Sequence, residues 1–318
     1  MKTFSIFSLI AAALFSHSAH ALMAGAPDGS PADSPQMRVD ANTADSPWAG
    51  VGSIVISGKI FSGALISPRH VLTAAHVVHG VQPGGVNFNL NAGGNLSHQF
   101  SASAIYVNPG YQGFLPSNDG VVHDDLAIIE LNQAVPLDIP VYSLHETALA
   151  PATELHFVGY GASGSGAGGA FVGGSSSVKR IGANVADLML VDDDGGPQAE
   201  VFVFDFDGPT PSSNRLGGIS LGNATETTFG VGDSGLPAFV MGDGGWEIAG
   251  VGTFVANLGG VSLRAGSFGT GGGGMLVSAY ADWIHTTVTP VPEPSSAHLM
   301  LLGLSIMGLG LAHRKKRP

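Results

Sequence analysis

The chain has 318 residues, a formal net charge of −12 and no cysteine. Its 48 glycines and 19 prolines, with 11% charged against 44% hydrophobic residues, argue against long solvated helices and for many short strands joined by turns, a mainly β protein. Without cysteine there are neither disulfides nor thiolate metal ligands, so the fold rests on its core.

In chain order, Lys2 precedes an apolar run from Phe4 to Phe15, and Ala19-His20-Ala21 supplies small residues at alternate positions. This pattern predicts a signal peptide over 1–21, cut by signal peptidase after Ala21; the alternative is a retained N-terminal membrane helix. Residues 22–46 are rich in Pro, Ala, Asp and Ser and read as a surface arm or pro-segment that carries no core. Strand-like runs follow: GVGSIVIS, FSGALIS, HVLTAAHVV, VNFNLNA, SAIYV and LAIIEL, then LHFVGYG, EVFVFDFDG, GLPAFVMG, WEIAGVGTFV and GGMLVSA. They form two clusters divided near 145–151, which predicts an N-terminal β-barrel over 47–147 and a C-terminal one over 148–287. One amphipathic helix is expected where Val277, Tyr280, Ala281 and Ile284 share a face, giving way to irregular chain from Thr286. The glycine-rich stretches GYGASGSGAGGAFVGGSSS and GTGGGG read as flexible loops.

The tail, 288–318, has the punctuation Val291-Pro292-Glu293-Pro294, an apolar segment over 297–312 and the basic cluster Arg314, Lys315, Lys316, Arg317. The segment is just long enough for a transmembrane helix held with its basic flank inside. This arrangement resembles the PEP-CTERM sorting tail of Gram-negative, exopolysaccharide-producing bacteria. The resemblance implies export, transient membrane association and processing by an exosortase-like enzyme; an ordinary C-terminal anchor is the alternative. Between residues 22 and 290, seven Lys and Arg face 23 Asp and Glu, a net charge of −16, which disfavours nucleic acid and anionic lipid as partners.

Three stretches carry chemistry. In TTFGVGDSGLPAFV, glycines 230, 232 and 235 permit a tight turn whose main-chain N–H groups converge beside the Ser234 hydroxyl, a place for an oxyanion. GALISPRHVLTAAHVV delivers His76 after a β run and small residues, and VVHDDLAIIEL delivers Asp125 at the head of an apolar strand, where a carboxylate needs a specific donor. A base, an orienting carboxylate and a hydroxyl in an anion-binding turn are the components of nucleophilic acyl transfer.

On these residues, with Asn108-Pro109-Gly110-Tyr111, Val158-Gly159-Tyr160-Gly161 and the helix Val277–Ile284, the chain resembles the chymotrypsin/trypsin-like serine proteases from about Pro47 to Ile284. The resemblance implies two packed antiparallel β-barrels and a secreted serine endopeptidase acting on proteins or peptides, with Ser234 as nucleophile, His76 as general acid/base and Asp125 fixing its tautomer. Gly232 and Ser234 would donate N–H groups to the oxyanion, and Asp233 would pair with a new α-amino terminus. The family's activation site is missing; Leu22, exposed by signal cleavage, and Val39, exposed by cleavage after Arg38, are the substitutes. Phe61 and Val77 stand where the family usually has cysteines.

Matching places Thr228 at the floor of the specificity pocket and Thr253-Phe254-Val255 along the substrate backbone. No carboxylate on the floor and Val255 at the entrance predict small or medium apolar side chains over Arg or Lys. Asp124, pointing opposite to Asp125, is expected to be solvated. Gly218-Ile219-Ser220-Leu221-Gly222 imitates a nucleophile elbow but lacks the helix that motif requires. His70, His79, His123 and His156 have no ligand spacing, and Asp192-Asp193-Asp194 and Asp205-Phe206-Asp207 read as solvated acidic loops, so neither metal nor cofactor is expected. The competing function is a protease-fold matrix or adhesion protein without proteolytic activity.

Overall fold

The computed structural model describes residues 22–25, 33–117, 119–258 and 263–289. The signal peptide and the 297–312 segment lie outside them; among the described residues no helix is long and apolar enough to cross a membrane.

Strands β1 (Val51–Ile56), β2 (Lys59–Ser67), β3 (His70–Thr73), β4 (Val86–Leu90), β5 (His98–Val107) and β6 (Ala127–Leu131) close an antiparallel barrel in the order β1-β2-β3-β6-β5-β4. Val51, Ile54, Leu65, Val71, Phe88, Ile128 and Ile129 are buried in it. The short helix α1 (Ala75–Val78) follows β3 directly.

The second half comprises β7 (Ser143–Leu144), β8 (Glu154–Gly159), the hairpin β9 (Ser163–Ser165) and β10 (Gly169–Val172), β11 (Arg180–Val185), β12 (Leu188–Val191), β13 (Ala199–Asp205), β14 (Pro237–Gly242), β15 (Gly245–Asn257) and β16 (Thr270–Leu276), followed by helix α2 (Val277–Val288). Its main sheet runs β11-β8-β14-β15-β16-β13-β12, with β7 parallel to β15. A flat sheet in that order would hold β11 and β12 roughly 29 Å apart, six steps of about 4.8 Å. Yet the residues Val185 and Leu188 that end one and begin the other are three Cα steps apart, at most about 11 Å. The sheet therefore curls back on itself, and the fold is the mostly β, two-part architecture expected.

Several details differ from the sequence reading. The GTGGGG stretch is no loop: it begins β16, every residue of which is buried. A Cβ at Gly274 would lie 1.9 Å from the Val251 carbonyl oxygen and one at Gly273 2.3 Å from that of Phe202. Glycine is needed because neighbouring backbones and the rings of Phe204, Phe229 and Phe254 occupy the space of its side chains. Part of the other glycine-rich stretch forms the β9–β10 hairpin, whose edge is covered by Ala24 pairing with Ser165. The arm does carry core, since Leu22, Met23 and Ala24 are fully buried. Helix α2 buries Val277, Tyr280 and Ile284 as the pattern predicts, and it continues to Val288, where the Thr286 and Thr287 hydroxyls donate to carbonyls one turn back.

The two halves meet at polar residues that are themselves buried. Tyr160, at the end of β8, donates its hydroxyl to the Val51 carbonyl at 3.0 Å and accepts from Asn91 Nδ2 at 2.9 Å. Lys179 Nζ, with no exposure, donates to the Trp48 carbonyl at 2.6 Å and pairs with Asp40 at 3.1 Å. Tyr160→Phe leaves the Val51 carbonyl without this donor and removes an acceptor from Asn91, and is expected to cost about 1–3 kcal/mol. Urea unfolding should show a lower midpoint with an unchanged m-value.

Candidate active site

His76 sits in α1, placed by the short run Thr73-Ala74-Ala75 at the end of β3. Asp125 lies just ahead of β6 and is 3% exposed. Its carboxylate is fully engaged by one residue: His76 donates its backbone N–H to Oδ1 at 2.7 Å, and His76 Nδ1 lies 2.6 Å from Oδ2. On the other side of the ring, Nε2 lies 2.7 Å from Ser234 Oγ. The three residues, 49 and 109 positions apart in sequence, thus form one unbroken hydrogen-bonded chain across the seam.

Ser234 is brought there by the turn before β14. Gly232 and Gly235 have φ of +95° and +82°, the left-handed region open to glycine. Gly235 also has no room for a side chain, because a Cβ would stand 2.0 Å from Thr73 Oγ1 and 2.3 Å from the Ser62 carbonyl oxygen. Ser62 in turn donates its N–H to the Ser234 carbonyl at 3.0 Å. The serine turn is thereby fastened to the first barrel.

A cavity of about 100 Å³ opens beside the hydroxyl, lined by Phe229, Gly230, Ser234, Gly252, Thr253, Phe254 and Val255. Thr253, Phe254 and Val255, expected along the substrate backbone, line it, and the β15–β16 register shifts between Gly252 and Phe254, a bulge in the strand that carries them. Thr228, expected at the floor, is instead buried outside this lining, with its carbonyl accepting from Met23 N–H at 3.0 Å. Phe229 closes that side, braced edge-on by Phe157 and Phe204. The sequence reading also passed over Phe114, which packs on the His76 ring at a centroid distance of 5.5 Å while remaining 57% exposed. Its signal was a Phe-Leu pair in an otherwise polar loop.

Asp233 is 1% exposed and accepts from Gly230 N–H at 2.9 Å and Gly161 N–H at 3.1 Å. Burial pushes its carboxyl well above the ordinary range, against the pull of those amides and of Arg180. Close by in the chain, the arm is docked: Ser163 Oγ donates to the Leu22 carbonyl, Thr227 Oγ1 to that of Met23, and Ala24 N–H to that of Gly164. Leu22 packs in the cluster that holds Phe229 and Leu236.

Other expectations are corrected. Asp124 is not freely solvated: half-buried with φ of +57°, it lies against Gly110, and burial, then the charges of Glu200 and Asp193, raise its pKa to about 6. His123 is buried among carboxylates, whereas His70, His79 and His156 have ordinary neighbours in Ser67, Tyr111 and Glu154. Ser220 donates to Glu226 and is followed by a turn, so the imitation elbow has no helix. Asp205 and Asp207 are 3% and 4% exposed, not solvated, and are joined by Asp187 and Glu226. Backbone N–H groups of Arg215 and Leu216 serve Asp205, and those of Asp207 and Leu221 serve Glu226.

A closed barrel packed on a curled second sheet, with an Asp–His–Ser chain across the seam, defines a trypsin-like fold. Residues 38–180 match the family model described as Trypsin, which covers His76 and Asp125 but stops short of Ser234, and residues 290–315 match the PEP-CTERM protein-sorting motif. The chain is thus similar to the trypsin family over residues 38–180 and carries a motif for export and sorting to the cell surface of Gram-negative bacteria. A curated relative from Aedes aegypti, named "Inactive CLIP domain-containing serine protease A3", is 29% identical over 265 residues, covering 76% of this chain and 49% of that protein. The chain thus spans about half the length of the relative it matches.

The carboxylate group yields a pH test. Burial, with added repulsion from Asp205, Asp207 and Glu226, raises Asp187 to about 7 from 3.8 despite a hydrogen bond from Asp205 N–H. A carboxyl raised on folding contributes stability that is complete below its unfolded pKa near 4 and is lost as pH climbs through about 7. Asp187→Asn should therefore stabilise the protein more at pH 8 than at pH 4, read as the difference in urea midpoint between variant and wild type.

Proposed function

We propose that the chain is a secreted serine endopeptidase that hydrolyses peptide bonds through an acyl-enzyme, with Ser234, His76 and Asp125 as its catalytic residues. The observation that carries this reading is the continuous contact from Asp125 through His76 to the Ser234 hydroxyl. Ser234 Oγ attacks the scissile carbonyl while His76 Nε2 takes its proton, and the imidazolium then gives that proton to the leaving amine. Asp125 holds Nδ1–H and so keeps Nε2 free to accept. The Gly232 and Ser234 N–H groups receive the charge on the carbonyl oxygen, and water releases the acyl group by the same steps reversed.

Substrate backbone runs along Thr253, Phe254 and Val255, and the residue before the cut enters the small cavity between Phe229 and Phe254. That lining has no carboxylate to receive Arg or Lys, and its volume suits small or medium apolar side chains. Wild type is expected to cleave a mixed peptide library after such residues, with kcat/KM falling by roughly 10⁴-fold or more in Ser234→Ala. A profile confined to basic residues removes the specificity, and undiminished cleavage by Ser234→Ala removes the mechanism. The second reading, a non-proteolytic matrix or adhesion protein, draws support from the "Inactive" in its relative's name. It requires that a fluorophosphonate probe leave wild type and Ser234→Ala equally unlabelled.

Signal peptidase also activates the enzyme. Cleavage after Ala21 creates an α-amino group on Leu22, whose side chain packs in the cluster that holds Phe229 and Leu236, and that ammonium supplies the buried Asp233 carboxylate with its counter-charge. The arm's own ion pair, Arg38 to Asp33 at 2.8 Å, with Asp33 accepting from Gly25 N–H at 2.7 Å, holds the new end in place. An exosortase-like enzyme then processes the tail at Pro292-Glu293-Pro294. Active protein should begin at Leu22 by N-terminal mass spectrometry. Two extra residues ahead of Leu22 should lower kcat/KM by roughly 10²–10³-fold, the loss of one buried pair. Equal activity in the extended form would dispose of the pairing.

A further inference from the structure

Two residues ahead of Asp125, His123 belongs to a constellation that proteolysis does not use. Its ring is buried. Nε2 lies 3.0 Å from Asp119 Oδ2; Nδ1 lies 2.5 Å from Glu200 Oε2 and 3.7 Å from Asp193 Oδ1. The facing carboxylates are braced in turn, Glu200 by the Tyr280 hydroxyl and Asp193 by the Ser117 hydroxyl. We propose that His123 Nδ1, Glu200 and Asp193 form a site for a divalent transition-metal ion of the Zn²⁺ class, with Asp119 orienting the imidazole from behind.

Three observations support the assignment. One donor atom from each of the three residues lies within 4.8 Å of the others, close to the span of about 4.3 Å that two Zn²⁺ bonds of about 2.0–2.2 Å reach. The contact of Nε2 with Asp119 settles which ring nitrogen faces the carboxylates and reproduces the carboxylate–histidine arrangement that orients metal ligands. Negative charge accumulates: cavities of about 250 and 240 Å³ share Asp124 and Asp194 on their walls, one also lined by His123 and Asp193, the other by Asp192 and Glu200. Among the described residues no lysine or arginine forms an ion pair with any of these carboxylates.

A nitrogen donor with two carboxylates suits Zn²⁺ better than Ca²⁺, which prefers an all-oxygen shell. On binding, Nδ1 gives up any proton to solvent and donates its lone pair to the ion. The ion would tie the segment leading into Asp125, in the first half, to β13 and the β12–β13 turn in the second. It would fasten the seam beside the catalytic chain without touching the reacting atoms.

The test uses the exported protein carrying Ser234→Ala, so that autolysis is absent and the outcome is independent of proteolysis. Zn²⁺ titration by calorimetry should give saturable one-site binding, and Zn²⁺ should raise the Tm more than Ca²⁺ does. Asp193→Asn, at an exposed position, and Asp119→Asn should each weaken Zn²⁺ binding by roughly 10–100-fold while remaining folded by circular dichroism. His123→Asn should abolish it. Absence of saturable Zn²⁺ binding means that His123 is simply an imidazolium held by carboxylates, and overturns the proposal. So does binding that survives Asp193→Asn and His123→Asn unchanged, or a larger Tm rise with Ca²⁺.

Discussion

The hydroxyl of Ser234 meets His76 only because the turn that carries it is pressed against the first barrel at a point with no space for one more carbon. Ser62 N–H holds the Ser234 carbonyl, Thr73 Oγ1 holds the Ser62 carbonyl at 2.9 Å, and the Cα of Gly235 faces both. Any side chain at 235 would have to displace backbone, and the 2.7 Å contact between Oγ and Nε2 would open with it. The reactive geometry is therefore a property of the seam, and neither half holds it alone. Tyr160 and Lys179 act along the same seam by reaching carbonyls of Val51 and Trp48 in the other half.

The second constraint is a shortage of cations. With seven Lys and Arg between residues 22 and 290, most buried carboxylates have no basic partner and are served by backbone amides. Asp125 takes a main-chain N–H along with the His76 ring; Asp233 takes those of Gly230 and Gly161; Asp205 and Glu226 take two each. Amides placed by glycine-rich turns offer fixed partial charges without the entropy of a long side chain. They compensate burial only in part, which is why Asp187, Asp205, Asp207, Glu226 and Asp233 all stand above the ordinary carboxyl range. Turns that aim N–H groups at carboxylates elsewhere are the same device that, at Gly232 and Ser234, would receive an oxyanion.

The sequence was legible where chemistry or alternation is written in side chains. The runs around Val51, Ala64, Ile128 and Val251 read as strands, and His76, Asp125 and Ser234 were marked by the residues beside them. It was illegible where structure is defined by side chains that are absent. Strand β16 begins as Thr-Gly-Gly-Gly-Gly and has no apolar period, because its packing is supplied by phenylalanines from β13 and β15. The contacts that hold Leu22 were hidden for the opposite reason: nothing near it in sequence hints that Ser163 and Thr227, more than 140 residues away, donate their hydroxyls to the Leu22 and Met23 carbonyls. Matching fixes the position of Thr228 along the chain but could not show that its carbonyl would be taken by Met23 N–H from the arm.

The lack of cysteine ties these points together. Val77, 4% exposed, and the partly buried Phe61 both pack into the large apolar cluster that includes the core of the first barrel. Packing of that kind constrains the folded state and not the unfolded chain, so it offers none of the loop-entropy advantage of a disulfide. The compensation is long-range polar contact: Arg38 from the arm reaches the Glu226 carbonyl, Asp40 reaches Lys179, and Asn42 reaches Ser177. Each joins the arm to the second half. A chain built this way ties its arm to the half that carries Ser234 without a covalent cross-link, so the distance between Ser234 and His76 rests on packing and hydrogen bonds across the seam.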